Sequence, residues 1–152
     1  MKKIFLSAIA AICSLGLFAQ TRIDKAQTAE EKLNEQYCTG LFKSAEGVIL
    51  DLENTYNAVA YFNILDWLDG RVAGLKVYKT RNDIRIPFIR GQQSSIYVDE
   101  QQVSASHLNF LSTGDIVMIK VIRSPFLGGF NGAGGAIAIY TYGIEPEEDE
   151  SK

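Results

Sequence analysis

Histidine, cysteine and proline are scarce in this chain of 152 residues, which contains one histidine, two cysteines and three prolines. The single histidine, His107, excludes most catalytic and metal-binding arrangements, because a Ser–His–Asp triad would have to use it and zinc needs several Cys or His ligands. The sequence also lacks a G-x-S-x-G nucleophile motif and the alternating acids of a calcium loop. We therefore predict a protein without enzymatic activity, catalytic residues, bound metal or cofactor.

A long apolar run is also missing after the N-terminus, since no later stretch approaches the 18 or so residues of a membrane-spanning helix. At the N-terminus, Lys2 and Lys3 precede the apolar residues 4–12, and small residues up to Ala19 follow. This order is typical of a secretory signal peptide. We expect residues 1–20 to be removed on export, leaving a protein in the periplasm or at the outer membrane, without a transmembrane span of its own.

Basic residues are not clustered, and the formal net charge of the whole chain is −3. A nucleic-acid partner requires a basic surface, so none is predicted. The negative charge is concentrated at the C-terminus, where the composition of residues 143–152 predicts an acidic disordered tail. Five acids lie in the last eight residues: Glu145, Glu147, Glu148, Asp149 and Glu150. Of the two cysteines, Cys13 lies in the signal peptide, so Cys38 has no partner for an internal disulfide.

The mature chain divides into two parts by its pattern. Residues 21–62 are first polar and rich in helix formers, then apolar without a clean period, which predicts a helical or irregular N-terminal segment. Residues 63–142 alternate short helical and β patterns. Asn63 is a credible N-cap and Gly70 a credible stop for a first short helix. Residues 116–122 are β-branched and apolar on both faces except for Lys120, so this strand should lie inside a sheet. The pattern predicts an α+β fold, a mixed sheet with short helices.

The glycine-rich run 128–135 could suggest a phosphate-binding loop. Such a loop needs a helix after it and usually a Lys–Ser/Thr pair, whereas here a β pattern follows and lysine is absent. Five glycines in these eight positions carry a high ordering entropy. We therefore expect a tight, mobile connection between strands.

Five motifs in residues 63–142 resemble, in order and spacing, the plug domain of TonB-dependent receptors. Residues 63–77 resemble its opening helix, "GRVxG" turn and first strand, and residues 84–91 its "I-x-I-R-G" strand. Residues 95–99 are similar to the "YVVDG" strand end, residues 115–122 to "DIxxIxVL", and residues 132–141 to the closing "GxxGxIxIxT" strand. The resemblance implies a plug-like mixed sheet with a role in transport.

Two departures from the plug pattern bear on this expectation. The turn that normally carries Asp-Gly has Asp99 followed by Glu100, and a glutamate does not suit a turn position with positive φ. The sequence after Tyr142 also offers no alternating lipid-facing strands, so we expect a stand-alone plug-like protein without the β-barrel.

Two hypotheses on function follow. The first is an interaction module that docks to an outer-membrane or periplasmic protein partner; the glycine-rich loop is the candidate contact, through Phe126, Phe130, Gly128 and Gly129. Exposed aromatic residues mark interfaces, although the same aromatics could instead cap the core. The second is a periplasmic small-ligand-binding or enzymatic protein that uses the plug-like sheet as scaffold. A pocket with convergent polar groups favours the second, and an exposed apolar patch or sheet edge favours the first.

Overall fold

The computed structural model describes residues 28–123, 125–127 and 132–143. The helices in these ranges are α1 (Ala29–Tyr37), α2 (Gly40–Ser44) and α3 (Ile64–Leu68). The strands are β1 (Val48–Asp51), β2 (Leu75–Lys79), β3 (Arg85–Ile89), β4 (Gln92–Gln93), β5 (Ser95–Val98), β6 (Gln101–Val103), β7 (Ile116–Ile122) and β8 (Ala136–Thr141). This mixture of short helices and strands confirms the predicted α+β class. The predicted signal peptide and most of the acidic tail lie outside the described residues.

The strands form a five-stranded sheet with the order β1-β7-β8-β5-β6 and a separate three-stranded sheet with the order β2-β3-β4. In the larger sheet β5 and β8 are parallel, and all other neighbours are antiparallel. All seven residues of β7 are buried, and β7 is paired with β1 on one side and β8 on the other. The prediction of an interior strand at residues 116–122 is therefore confirmed.

One face of the larger sheet packs against α3 and the smaller sheet. The side chain of Asn63 accepts a hydrogen bond from the backbone N–H of Leu65 at 2.9 Å, as expected of an N-cap. Every residue of α3 except Asp66 is buried. This face of the sheet is apolar, and its central residues are Ile119, Val121, Ile137 and Ile139. Ile137 and Ile139 of β8 lie on this face, and Tyr140 of the same strand faces the opposite side.

The opposite face is covered by the N-terminal helices. Leu33 of α1 and Phe42 of α2 pack with Met118 and Tyr140 in a second hydrophobic cluster. β1 extends the same sheet, with Leu50 opposite Ile119. Part of the N-terminal segment therefore packs on and extends the sheet formed by residues 63–142. The sequence of α1 shows no wide apolar stripe because this helix buries only one side chain, Leu33.

A capping box starts α1. The backbone N–H of Glu31 donates to Thr28 Oγ1 at 3.2 Å, and the backbone N–H of Thr28 donates to Glu31 Oε2 at 3.0 Å. This reciprocal pair satisfies two of the N–H groups that a helix start leaves without intrahelical partners. The beginning of the helix is thus fixed by local sequence, while its position on the sheet depends on tertiary contacts.

The turn between β5 and β6 adopts the geometry that its sequence makes costly. Asp99 has φ 49° and Glu100 has φ 64°, so both residues lie in the left-handed region. A two-residue hairpin turn of this type needs positive φ at both positions. The Glu100 carboxylate accepts hydrogen bonds from the Thr39 N–H at 2.6 Å, from the Thr39 hydroxyl and from the Tyr140 hydroxyl at 3.2 Å. These bonds offset the strain and attach the α1–α2 connection to the sheet.

We expect Glu100→Gly to lower the free energy of unfolding by about 1–2 kcal/mol, because charge-assisted hydrogen bonds are lost while only modest left-handed strain is relieved. Urea unfolding provides the measurement. Arg90→Gly is the matched control: Arg90 also has positive φ (53°), and its side chain is exposed. That variant should stay within about 0.5 kcal/mol of the wild type, because relief of strain and the flexibility of glycine oppose each other. A Glu100→Gly protein as stable as the Arg90→Gly protein would contradict the role of the carboxylate.

The end of the glycine-rich run is packed rather than loose. Residues Gly132–Gly134 form a 3-10 turn, and Gly134 is buried. A Cβ atom at Gly134 would lie 2.1 Å from the carbonyl oxygen of Gln93, which is closer than any non-bonded contact allows. The connection is therefore tight at Gly134, where glycine is needed for close backbone approach, and the mobility of residues 128–135 stays a prediction. Residues 128–131 lie outside the described ranges.

Candidate functional site

The described residues form no metal centre and present no activated nucleophile. Within residues 28–123, 125–127 and 132–143, no three His, Cys, Asp or Glu side chains are grouped to hold a metal ion. His107 is exposed on the 3-10 helix Ala105–Asn109. Cys38 is buried, and its burial raises the pKa of the thiol. A protonated, enclosed thiol is a poor nucleophile, so Cys38 is a packed core residue.

Of the four residues predicted to contact a partner, the structure describes only Phe126. Its ring is buried and lies 4.8 Å from the ring of Phe42 and 5.6 Å from that of Tyr97, measured between centroids. Phe126 thus caps the second hydrophobic cluster, which was the alternative reading of these aromatics. Gly128, Gly129 and Phe130 lie outside the described residues. The neighbouring Leu127 is 94% exposed.

A different group of highly exposed apolar side chains in the described part of the chain lies on the loops before α3 and after the 3-10 helix Ala105–Asn109. Phe110 is 88% exposed, Phe62 73% and Val59 69%. Together with Tyr61 and Leu111 they line one shallow cleft of about 460 Å³. We call these five residues the Phe62–Phe110 surface. Large apolar side chains grouped in this way on a protein surface mark interaction sites.

Hydrogen bonds fix the two loops of the Phe62–Phe110 surface to each other. The Thr113 hydroxyl donates to the Tyr61 carbonyl oxygen at 2.9 Å. Asn63, which is fully buried, donates from Nδ2 to Asn109 Oδ1 at 2.8 Å. Both bonds join residues distant in sequence, so the surface is held in place by tertiary structure. Sequence reasoning missed it because Phe62 and Phe110 lie 48 positions apart; only the pair Tyr61–Phe62, directly before the N-cap Asn63, was a local signal.

A second candidate site is a polar cleft of about 670 Å³ between α1, β1 and β7. Its lining carries both signs of charge, with Glu30, Glu31 and Glu46 facing Arg90, Arg123 and Lys120. Lys120 is buried: its Nζ donates to Asn34 Oδ1 and to the Phe42 carbonyl oxygen, both at 2.6 Å. These contacts explain why a lysine is tolerated inside the sheet, since every buried charge needs hydrogen-bond partners. They also hold both N-terminal helices against β7.

Burial lowers the pKa of the Lys120 ammonium below its ordinary value of 10.5. The folded protein therefore releases this proton at a lower pH than the unfolded chain does. Between the two pKa values the unfolded state binds more protons, so stability rises with pH in that window. We expect the wild type to gain stability relative to Lys120→Met as pH rises from neutral towards about 10.5.

This difference is measured by urea unfolding at several pH values. Both proteins should carry Cys38→Ala, because the nearby thiol titrates in the same range and is coupled to Lys120. A stability difference that is constant with pH, or that moves in favour of Lys120→Met as pH rises, would show that the ammonium is not destabilised by burial.

No protein-family model matches the sequence, and no curated protein matches it. Solved structures do. The RagAB peptide importer in its closed-closed state matches with a TM-score of 0.55 and 23% identity, covering 68% of this chain and 13% of that chain. The siderophore receptor PirA from Acinetobacter baumannii matches with a TM-score of 0.54 and 20% identity, covering 79% of this chain and 19% of that one. The ferric yersiniabactin uptake receptor FyuA from Yersinia pestis matches with a TM-score of 0.53 and 17% identity, covering 75% of this chain and 19% of that one.

These structures are TonB-dependent receptors, and the similarity is one of fold. The α+β arrangement of this chain is therefore a plug-like fold, as the five sequence motifs implied. The chain spans less than a fifth of the length of each receptor chain named above. No helix among the described residues is long and apolar enough to cross a membrane.

Proposed function

We propose that this is a non-enzymatic envelope protein whose plug-like domain docks to an outer-membrane or periplasmic protein partner in transport. The observation that carries the proposal is the fold match to a peptide importer and to siderophore receptors. In them the matching region is a small part of a much longer chain, so this fold operates there together with more protein. The Phe62–Phe110 surface and the signal-peptide pattern of residues 1–20 add support.

The proposal is tested by crosslinking with formaldehyde in intact cells of the source organism, followed by purification through a tag placed after Lys152. We expect a covalent adduct in the envelope fraction that is clearly larger than the 16.8 kDa chain. The matched control is the same tagged protein with Ile119→Ala, which weakens the fold itself and should reduce the adduct. Recovery of the chain alone at every formaldehyde dose would contradict docking.

The polar cleft around Lys120 supports a second candidate, a periplasmic protein that binds a small ligand. Its three acids and three bases suit a small zwitterion or an anion, which Arg90 and Arg123 would contact from the rim. Thermal unfolding with free amino acids, citrate and phosphate tests it, because a ligand that binds only the folded state raises the melting temperature. A rise that disappears in Arg90→Ala and Arg123→Ala would favour this function over docking.

A further inference from the structure

We propose that the Phe62–Phe110 surface binds a segment of a protein partner in which apolar anchor residues are flanked by lysine or arginine. The inference deepens the proposed docking function and rests on it, since it names the contact face and the chemistry of the partner. It also moves the contact away from the glycine-rich loop, where Phe126 is buried in the core.

Two exposed phenylalanines line one cleft. Phe62 and Phe110 leave most of their ring surface in water, although the fold has buried other aromatics such as Trp67 and Tyr97. Two exposed phenylalanine rings that line the same cleft provide an apolar site for the anchor residues of a partner. Aromatic anchors at the centre of a patch carry most of the binding energy in protein interfaces.

The surface is also preorganised. The Tyr61 N–H donates to the Ala58 carbonyl oxygen at 2.9 Å, and the Val59 N–H donates to Asn57 Oδ1 at 3.1 Å. Together with the Thr113–Tyr61 and Asn63–Asn109 bonds, these contacts give both loops a fixed shape before any partner arrives. Binding then costs little loop-ordering entropy, which favours affinity.

The charge around the surface selects a basic partner. The adjoining cleft of about 380 Å³ shares Val59 and Thr113 with it, and its lining includes Glu53 but no lysine or arginine. Asp115 is exposed next to this cleft, and its carbonyl oxygen accepts from the Tyr142 N–H at 3.1 Å. Glu53 and Asp115 therefore place negative charge on this side of the apolar patch, and complementary charge steers and selects partners.

One basic residue, Arg71, lies beside Tyr61, with its guanidinium 5.8 Å from the centroid of the Tyr61 ring. Its guanidinium stacks over the Trp67 ring at 4.5 Å and donates to the Trp67 carbonyl oxygen at 2.8 Å. Arg71 is thus committed to contacts within the domain.

The test uses two synthetic amphipathic helical peptides with the same leucine stripe, one with lysines and one with glutamates on the polar face. Fluorescence anisotropy with the mature full-length protein measures their affinities. We expect the lysine peptide to bind at least about 10-fold more tightly than the glutamate peptide, and Phe62→Ser/Phe110→Ser to weaken it at least about 10-fold. Glu53→Gln/Asp115→Asn should reduce the salt dependence of binding.

Leu41→Ser is the matched control, because Leu41 is an exposed apolar residue on α2, away from this surface. It should bind the lysine peptide as the wild type does. Failure of the wild type to bind the lysine peptide, or equal binding by wild type and Phe62→Ser/Phe110→Ser, would overturn the proposal. So would a concentration-dependent dimer in size-exclusion chromatography that the double serine variant abolishes, because the surface would then contact a second copy.

Formaldehyde crosslinking of the same variants separates the two proposals. An adduct that forms in the wild type and persists in Phe62→Ser/Phe110→Ser would leave docking intact and exclude this surface as the contact. An adduct missing from the wild type would contradict docking itself, whatever the peptides do.

Discussion

Replacing Ile119 by alanine is expected to lower the free energy of unfolding by about 2–5 kcal/mol, the range observed for large-to-alanine changes in cores. Ile119 is fully buried in β7, and its pairing partners on the two neighbouring strands are Leu50 and Ile139. Strands on both sides and α3 with the smaller sheet in front leave little room for the core to collapse into the cavity. The loss should therefore include the cavity cost as well as the lost transfer energy.

Urea unfolding followed by circular dichroism measures this loss. Val59→Ala is the control, since the same kind of truncation at an exposed side chain should change stability by less than about 0.5 kcal/mol. A loss below about 1 kcal/mol for Ile119→Ala would mean that β7 does not lie inside the sheet. The m-value should stay unchanged if both variants unfold in a two-state manner.

Removal of the Arg85 side chain is expected to cost about 3 kcal/mol, at the lower end for breaking a buried ion pair, because the acidic partners retain contact with water. Arg85 is 5% exposed and joins three elements. Its Nε donates to both oxygens of Asp66 on α3, at 3.0 and 2.9 Å. Its Nη1 donates to the carboxylate of Asp83 at 2.9 Å, and Asp83 sits at φ 61° in the turn before β3.

Arg85→Ala leaves the Asp66 carboxylate without its cation and removes the hydrogen bond from Arg85 Nη1 to Asn109 Oδ1 at 3.4 Å, on the 3-10 helix Ala105–Asn109. Lys79→Ala is the control, because it removes the other cation paired with Asp83 in a solvent-exposed bridge. That variant should leave unfolding within the error of the measurement. If Arg85→Ala and Lys79→Ala unfold at the same urea concentration, the Arg85 cluster contributes nothing to stability.

Arg85 also shows where local patterns stop being informative. Asp66 and Asp69 are the exposed polar residues in and directly after α3, and both carboxylates bind neighbouring elements. Asp66 pairs with Arg85, and Asp69 accepts from the Val77 N–H at 3.1 Å, which protects the free edge of β2. The helical period gives the direction of a side chain relative to its own helix. It does not predict which residue of another element that side chain will contact.

The N-terminal helices illustrate the same limit on a larger scale. Residues 28–45 contribute a few buried side chains, chiefly Leu33, Cys38 and Phe42, and show no amphipathic stripe. Their position on the sheet depends on the contacts of Lys120 and Glu100, which are 86 and 61 residues away from Asn34 and Thr39. Pairings at such distances cannot be read from periodicity, because nothing local encodes which distant residue will be the partner.

The sequence by itself determined the α+β class, helix α3 with its cap at Asn63 and the interior position of residues 116–122. Each depends on hydrophobic period, a capping side chain or a run of β-branched residues, and these act within a few positions along the chain. Tertiary structure alone decided that the N-terminal helices cover the second sheet face, that Phe126 is buried and that Phe62 and Phe110 meet on one surface. Those outcomes depend on which elements cover which part of the sheet. That arrangement is decided by contacts between residues distant in sequence, which form only when the whole chain packs.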